Sequence, residues 1–289
     1  MKDHNLQQKT GDDSENFQSF GDMNIYQGLN YQDARQIAID VFEANFPKFF
    51  AKASEEIRKR FDEFTNLIFE KLTKVAPELI EGFNEPGLQS SLYRAQKEYV
   101  KCGDENLGEI LAELLIERVK APYRNLMQIV LDESLKVVAK LTNQHFDMLT
   151  LLLLINNSMS PGVDSFDSFK GYIEIQILPF IDSVSLSNQF YSHFEYAGCG
   201  SVKMGIGTSL ESELLMSYEL VFTGMQPNDI RQFIITIDNR LEKLFVIFER
   251  LNLTRFSMSN VGIAIGLTNY SDKVKSVPLP ALSLWLDPS

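Results

Sequence analysis

Residues 144–155, QHFDMLTLLLLI, are apolar on nearly every side of a helix, and Thr142 stands just ahead of them as a cap. A helix that is hydrophobic all round has no face for solvent, so this one is predicted to form the buried centre of a helical body. Its most apolar run, Leu149 to Ile155, is broken only by Thr150 and has seven residues. A bilayer span needs about 20, so no membrane span is expected.

Toward the amino terminus the same reading yields a series of amphipathic helices. Asn125–Lys140 carries Leu126, Ile129, Val130, Val137 and Val138, and Leu107–Lys120, capped by Asp104, carries Leu107, Ile110, Leu111, Leu114 and Leu115. Leu88–Lys101 stops at Gly103, a C′ glycine. A longer pattern runs Phe50, Ala53, Ile57, Phe61, Phe64, Ile68, Leu72 and Val75, with a charged face at Glu55, Glu56, Lys59, Arg60, Glu63 and Lys71. In Tyr31–Phe46 the apolar steps of three and four mark one helical face. Asn30 is its predicted N-cap, with Asp33 at the third helical position as a weaker form of the capping box.

Toward the carboxy terminus, Asn156–Gly162 (NNSMSPG) is the clearest break, and a boundary between two packed subdomains, 30–157 and 158–289, is placed there. Helices are predicted at Ser168–Ile177, Leu186–Tyr196, Ser209–Phe222, Asn228–Asp238 (opened by Pro227) and Arg240–Leu251. Ser259 caps Val261–Leu267, where Gly262 and Gly266 permit close packing on a neighbour. Gly198-Cys199-Gly200 and the glycines at 205 and 207 read as a flexible loop. Thr254–Met258 and Ala281–Leu286 read as short strands that pair as a small carboxy-terminal β-hairpin. The expected fold is mainly α, a multi-helix body with that hairpin and a short extended tag at the amino terminus.

The tag is residues 1–29. Gly11-Asp12 and Gly21-Asp22 each precede a run holding Asn and Gln, with Ser14, Asn16 and Gln18 in the first and Asn24 and Gln27 in the second. Gly-Asp favours turns, and alternation places Ser14, Asn16 and Gln18 on one side of an extended segment. So short a segment cannot fold alone, so it is expected to be disordered or to become β on association. Asn and Gln ladders between identical copies or addition as a strand to a partner are the functional expectations.

The rest of the composition is that of a globular protein: 289 residues, 44% hydrophobic, 23% charged and 21 Phe. Net charge is −12 from 27 basic and 39 acidic residues, a field that repels phosphate backbones. Two cysteines, Cys102 and Cys199, are too few for a disulfide framework. MKDHNLQQKT lacks the apolar core of a signal peptide, so a reducing cytoplasm is the expected setting.

The segments GDDSENFQSFGDMNI, GLNYQDARQIAIDVFEANF, FEYAGCGS at 194–201 and SNVGIAIGLTNYS…LSLWL together resemble an uncharacterised family of bacterial proteins known by locus-tag names. The resemblance covers most of the chain, with 11–46 and 194–270 the most specific parts, and it brings no catalytic residues. The tag also resembles those at the ends of other bacterial proteins, some linked with anti-phage defence, which implies a self-assembly or signalling role.

Among chemistry-bearing residues the sharpest set is His193-x-Glu195 followed by Cys199. A Cys nucleophile needs a base within hydrogen-bond reach, and zinc deaminases use H-x-E with a later C-x-x-C. Only one Cys follows here, so no metal or cofactor is expected, and Cys199 in a packed turn is the competing reading. His145 reads as a capping or surface histidine, and Glu109, Glu113 and Glu117 as an exposed acidic stripe. Residues 227–286 hint at a winged-helix outline, but acidic residues interleave with the basic ones, and nucleic acid is not an expected partner. The preferred expectation is a non-enzymatic bacterial assembly or interaction protein acting through its tag on itself or on a co-encoded protein, in defence or stress signalling. An enzyme centred on Cys199 and a DNA-binding regulator are the alternatives.

Overall fold

Asn30 opens the first helix with a reciprocal cap. Its side-chain oxygen accepts from the backbone N–H groups of Gln32 and Asp33 (2.8 and 3.0 Å), and Asp33 accepts in return from the Asn30 N–H (3.1 Å). The structure is a computed structural model that describes residues 30–45, 54–75, 77–121, 123–157, 160–205, 207–278 and 280–286. The tag, and with it Gly11, Asp12, Ser14, Asn16, Gln18, Gly21, Asp22, Asn24 and Gln27, lies outside the described residues, as do Phe46, Phe50 and Ala53.

The first half runs α1 (Tyr31–Asn45), α2 (Ser54–Val75), a 3₁₀ segment (Pro77–Asn84), α3 (Pro86–Cys102), α4 (Glu105–Lys120), α5 (Leu126–Val137) and α6 (Asn143–Asn156). Local chemistry sets most of these ends. Glu85 caps α3 at the Gly87 and Leu88 N–H groups, Gly103 ends it at φ 65° with its N–H on the Tyr99 carbonyl, and Asp104 and Asn125 cap α4 and α5. Left-handed φ costs a residue with a Cβ, so glycine at 103 follows from the turn.

Helix α6 is buried from His145 to Leu154, as its all-round hydrophobicity requires. The second half continues with α7 (Phe166–Tyr172), a π turn (Ile173–Ile177), a 3₁₀ segment (Leu178–Ser183), α8 (Asn188–Ala197), β1 (Gly200–Val202), α9 (Leu210–Ser217) and α10 (Glu219–Phe222). It closes with α11 (Pro227–Ile237), α12 (Glu242–Leu251), β2 (Phe256–Met258), α13 (Asn260–Lys273) and α14 (Leu282–Leu286). The protein is mainly α. The two halves are packed through one hydrophobic core, because α13 seats itself on α6, α5 and α4 of the first half.

Two expectations need correction. The hairpin of 254–258 with 281–286 does not form: β2 pairs antiparallel with β1, in the register Gly200↔Met258, Ser201↔Ser257 and Val202↔Phe256. ALSLWL is helical instead. Leu282 is buried, Trp285 and Leu286 are half-buried and Leu284 is exposed, which is the i, i+3, i+4 spacing of a helical face. The loop around Cys199 is also not loose, as its contacts show.

Candidate functional site

Helix α8 ends at Gly198 (φ 85°), whose N–H reaches the Glu195 and Phe194 carbonyls, and the Cys199 N–H then bonds the Phe194 carbonyl at 2.8 Å. The chain enters β1 directly. From the far side, the Ser259 N–H donates to the Cys199 carbonyl (2.9 Å), and the Ser259 hydroxyl donates to the Gly198 carbonyl (2.6 Å). The same hydroxyl accepts the Gly262 N–H at 3.1 Å, capping α13. A Cβ on Gly262 would stand 2.1 Å from the Cys199 carbonyl oxygen, and one on Gly266 would stand 3.0 Å from that of Leu149. The two glycines let α13 approach backbone to backbone, and the Thr150 hydroxyl bonds the Gly266 carbonyl at 2.9 Å.

This packing buries the cysteine of the enzyme reading and leaves its other two members on different faces of α8. Cys199 has no exposed surface, and burial pushes its thiol up to about 12, with Lys140 pulling weakly the other way. A buried, protonated thiol is a poor nucleophile. His193 and Glu195 are two apart on α8 and so point away from one another. Glu195 is exposed, and His193 Nε2 lies 2.8 Å from the Lys140 carbonyl oxygen, where its N–H donates.

His145 is the cap that the sequence suggested, here in a buried form. Its Nδ1 accepts from the Thr142 N–H at 3.2 Å and lies 2.7 Å from the Thr142 hydroxyl, while its ring stacks on Phe190 at 4.1 Å. Burial, reinforced by the neighbouring His193 and opposed by the Phe190 backbone, lowers its pKa to about 4. A backbone N–H directed at Nδ1 keeps the ring proton on Nε2, a tautomer with no lone pair there for a metal. Among the described residues no three His, Cys, Asp or Glu side chains group to hold a metal ion.

The acidic stripe on α4 is partly paired. Lys71 bridges Glu109 (2.7 Å) and Glu113, and Glu117 pairs with Lys120 (2.6 Å). Three arginines of the winged-helix region are also engaged within the protein. Arg231 meets Glu211 and Glu249, Arg240 meets Asp182 and Asp238, and Arg255 donates to the Lys203 and Met204 carbonyls. With β2 paired to β1, that outline also lacks its wing.

Two polar clusters were not anticipated. Buried Asp147 on α6 accepts from Ser183 (2.6 Å), Asn269 (3.0 Å) and Lys273 (2.5 Å), tying α13 and the 178–183 segment to the central helix. Buried Arg118 donates to Asp132 (2.9 Å), the Ala121 carbonyl (3.1 Å) and Glu85 (3.4 Å), and Ser91 also donates to Asp132 (2.7 Å). The signal for the first was present: an Asp inside an apolar helix must find partners.

A family profile matches residues 28–235, that of an uncharacterised family named by locus tag. This chain belongs to that family. The match takes in α1 to most of α11, including the 194–202 side of the junction, and stops short of β2 and α13. No curated protein and no solved structure matches the chain. No helix among the described residues is long and apolar enough to cross a membrane.

Proposed function

We propose that this protein works by association rather than by catalysis, using residues 11–28 as a contact element for a second copy or for a co-encoded partner in bacterial defence or stress signalling. The observation that carries the reading is the reciprocal Asn30–Asp33 cap. It completes the first turn of α1 from within, so the helical body needs no residue before Asn30 to close its first helix. A segment that the body does not need for that turn, and that alternates Ser, Asn and Gln after Gly-Asp, is suited to intermolecular pairing. The burial of Cys199 favours association over the enzyme alternative.

The test is the solution mass of the full chain against a chain that begins at Asn30. Association reads out as a larger, concentration-dependent mass for the full chain that the shorter chain loses. Identical monomeric masses would remove self-association.

A further inference from the structure

The β-ribbon has one covered edge and one open edge. The bonds from the Ser259 N–H to Cys199 (2.9 Å) and from the Lys203 N–H to Arg255 (3.1 Å) flank the ribbon. With its register they make Ser201 and Ser257 the hydrogen-bonded pair. The N–H and C=O groups of Gly200 and Val202 therefore point away from β2. On the opposite edge, the Asn156 side chain from the end of α6 donates to the Phe256 carbonyl at 3.4 Å. Among the described residues no hydrogen bond from outside the ribbon reaches Gly200 or Val202. Val202 is 41% exposed and Met204 is 97% exposed.

We propose that this edge takes up residues 11–18, GDDSENFQ, of a second copy as a third strand. The inference rests on the association reading above and names the surface on which it happens. Charge supports the pairing. From Gly11 to Ala34 the chain carries Asp12, Asp13, Glu15, Asp22 and Asp33 and no Lys or Arg. Lys203, next after β1, lines with Arg255 a cleft of about 440 Å³ beside the ribbon, where the one carboxylate, Glu213, is engaged by the Thr208 hydroxyl. That cleft also takes in Asn156, Phe256 and Ser257 and so lies toward β2, which leaves Lys203, directly after β1, as the cation that serves the open edge in a chain of net charge −12. The 11 residues between Gln18 and Asn30 give the segment a tether of up to roughly 40 Å.

Sedimentation equilibrium of the full chain and its variants tests the proposal. Val202→Pro removes an outward N–H and leaves the Ser201–Ser257 bonds in place, and Lys203→Glu reverses the local charge. Each is expected to weaken self-association about tenfold, the effect of about one main-chain bond or close charge pair, with an unchanged circular dichroism spectrum. Reversing the tag in the Lys203→Glu background (D12K, D13K, E15K) should restore association. If Val202→Pro fails to fold, Lys203→Glu and its charge-swapped partner decide alone. Should both edge variants associate like the wild type while the chain from Asn30 is monomeric, the tag pairs elsewhere. This inference then falls and the association reading stands. A wild type that is monomeric, or an Asn30 chain that associates as well as the full one, overturns both this inference and self-association through the tag.

Discussion

Gly262→Ala tests the contact on which the second half of the fold turns. In an ordinary helix interior the change gains about 1 kcal/mol. Here the new Cβ would lie 2.1 Å from the Cys199 carbonyl oxygen, a backbone atom, and ordinary contact begins near 3.4 Å, so the two chains must part by about 1.3 Å. That movement lengthens the Ser259–Cys199 and Ser259–Gly198 bonds beyond use, each worth about 1 kcal/mol net. Strain from overpacking adds about 1–3 kcal/mol. After the helix gain is subtracted, a net loss of about 2–4 kcal/mol is expected. Gly171→Ala is the control: it lies in α7 with nothing within 4 Å of its added Cβ, and it should be neutral or stabilising by up to about 1 kcal/mol. Urea unfolding followed by far-ultraviolet circular dichroism measures both. A Gly262→Ala protein as stable as the wild type would refute the close-approach argument.

Other expectations follow from the buried groups. Asp132→Ala leaves the Arg118 guanidinium buried with weaker partners and should cost about 2–3 kcal/mol, more than Arg118→Met, because Asp132 itself is partly solvated; the reverse order in urea melts would count against a buried cation hub. His145 has a folded pKa of about 4 against an unfolded value near 6.5, so its contribution is fully present above about pH 6.5 and declines as pH falls toward 4. Near pH 5 the loss is about 2 kcal/mol, and His145→Gln should flatten that part of the stability–pH curve; an unchanged slope would exclude His145 as its source. Iodoacetamide should label exposed Cys102 in the native protein and reach Cys199 only after unfolding, as peptide mapping would show. Native labelling of Cys199 would reopen the enzyme reading.

What the sequence disclosed was local. The caps at Asn30, Asp104 and Ser259 and the stop at Gly103 are each decided within a few residues, and each stands where the pattern placed it. The all-round apolarity of 144–155 located the centre of the core for the same reason. What it concealed was long-range. Gly200–Val202 and Phe256–Met258 are more than 50 residues apart, and three-residue strands leave too little alternation to choose a partner. ALSLWL satisfies strand and helix spacing over so few positions that burial of Leu282 decides between them. In the candidate site, the Gly262–Gly266 spacing announced a close contact without saying with what, and H-x-E looked like a pair only until a helix turned its members apart. The buried Arg118 cluster gave no sign, because its acids at 85 and 132 lie on different elements.

The late arrival of α13 also bears on how the protein is made. Helix α6 ends at Asn156 and the helix that covers it begins at Asn260, about 100 residues later. At roughly 5–20 residues per second, the ribosome holds that apolar rod without its cover for about 5–20 seconds. During that interval the nascent chain presents the surface of α6 around Leu149 and Thr150, the place where Gly266 will later lie, to whatever waits at the exit tunnel.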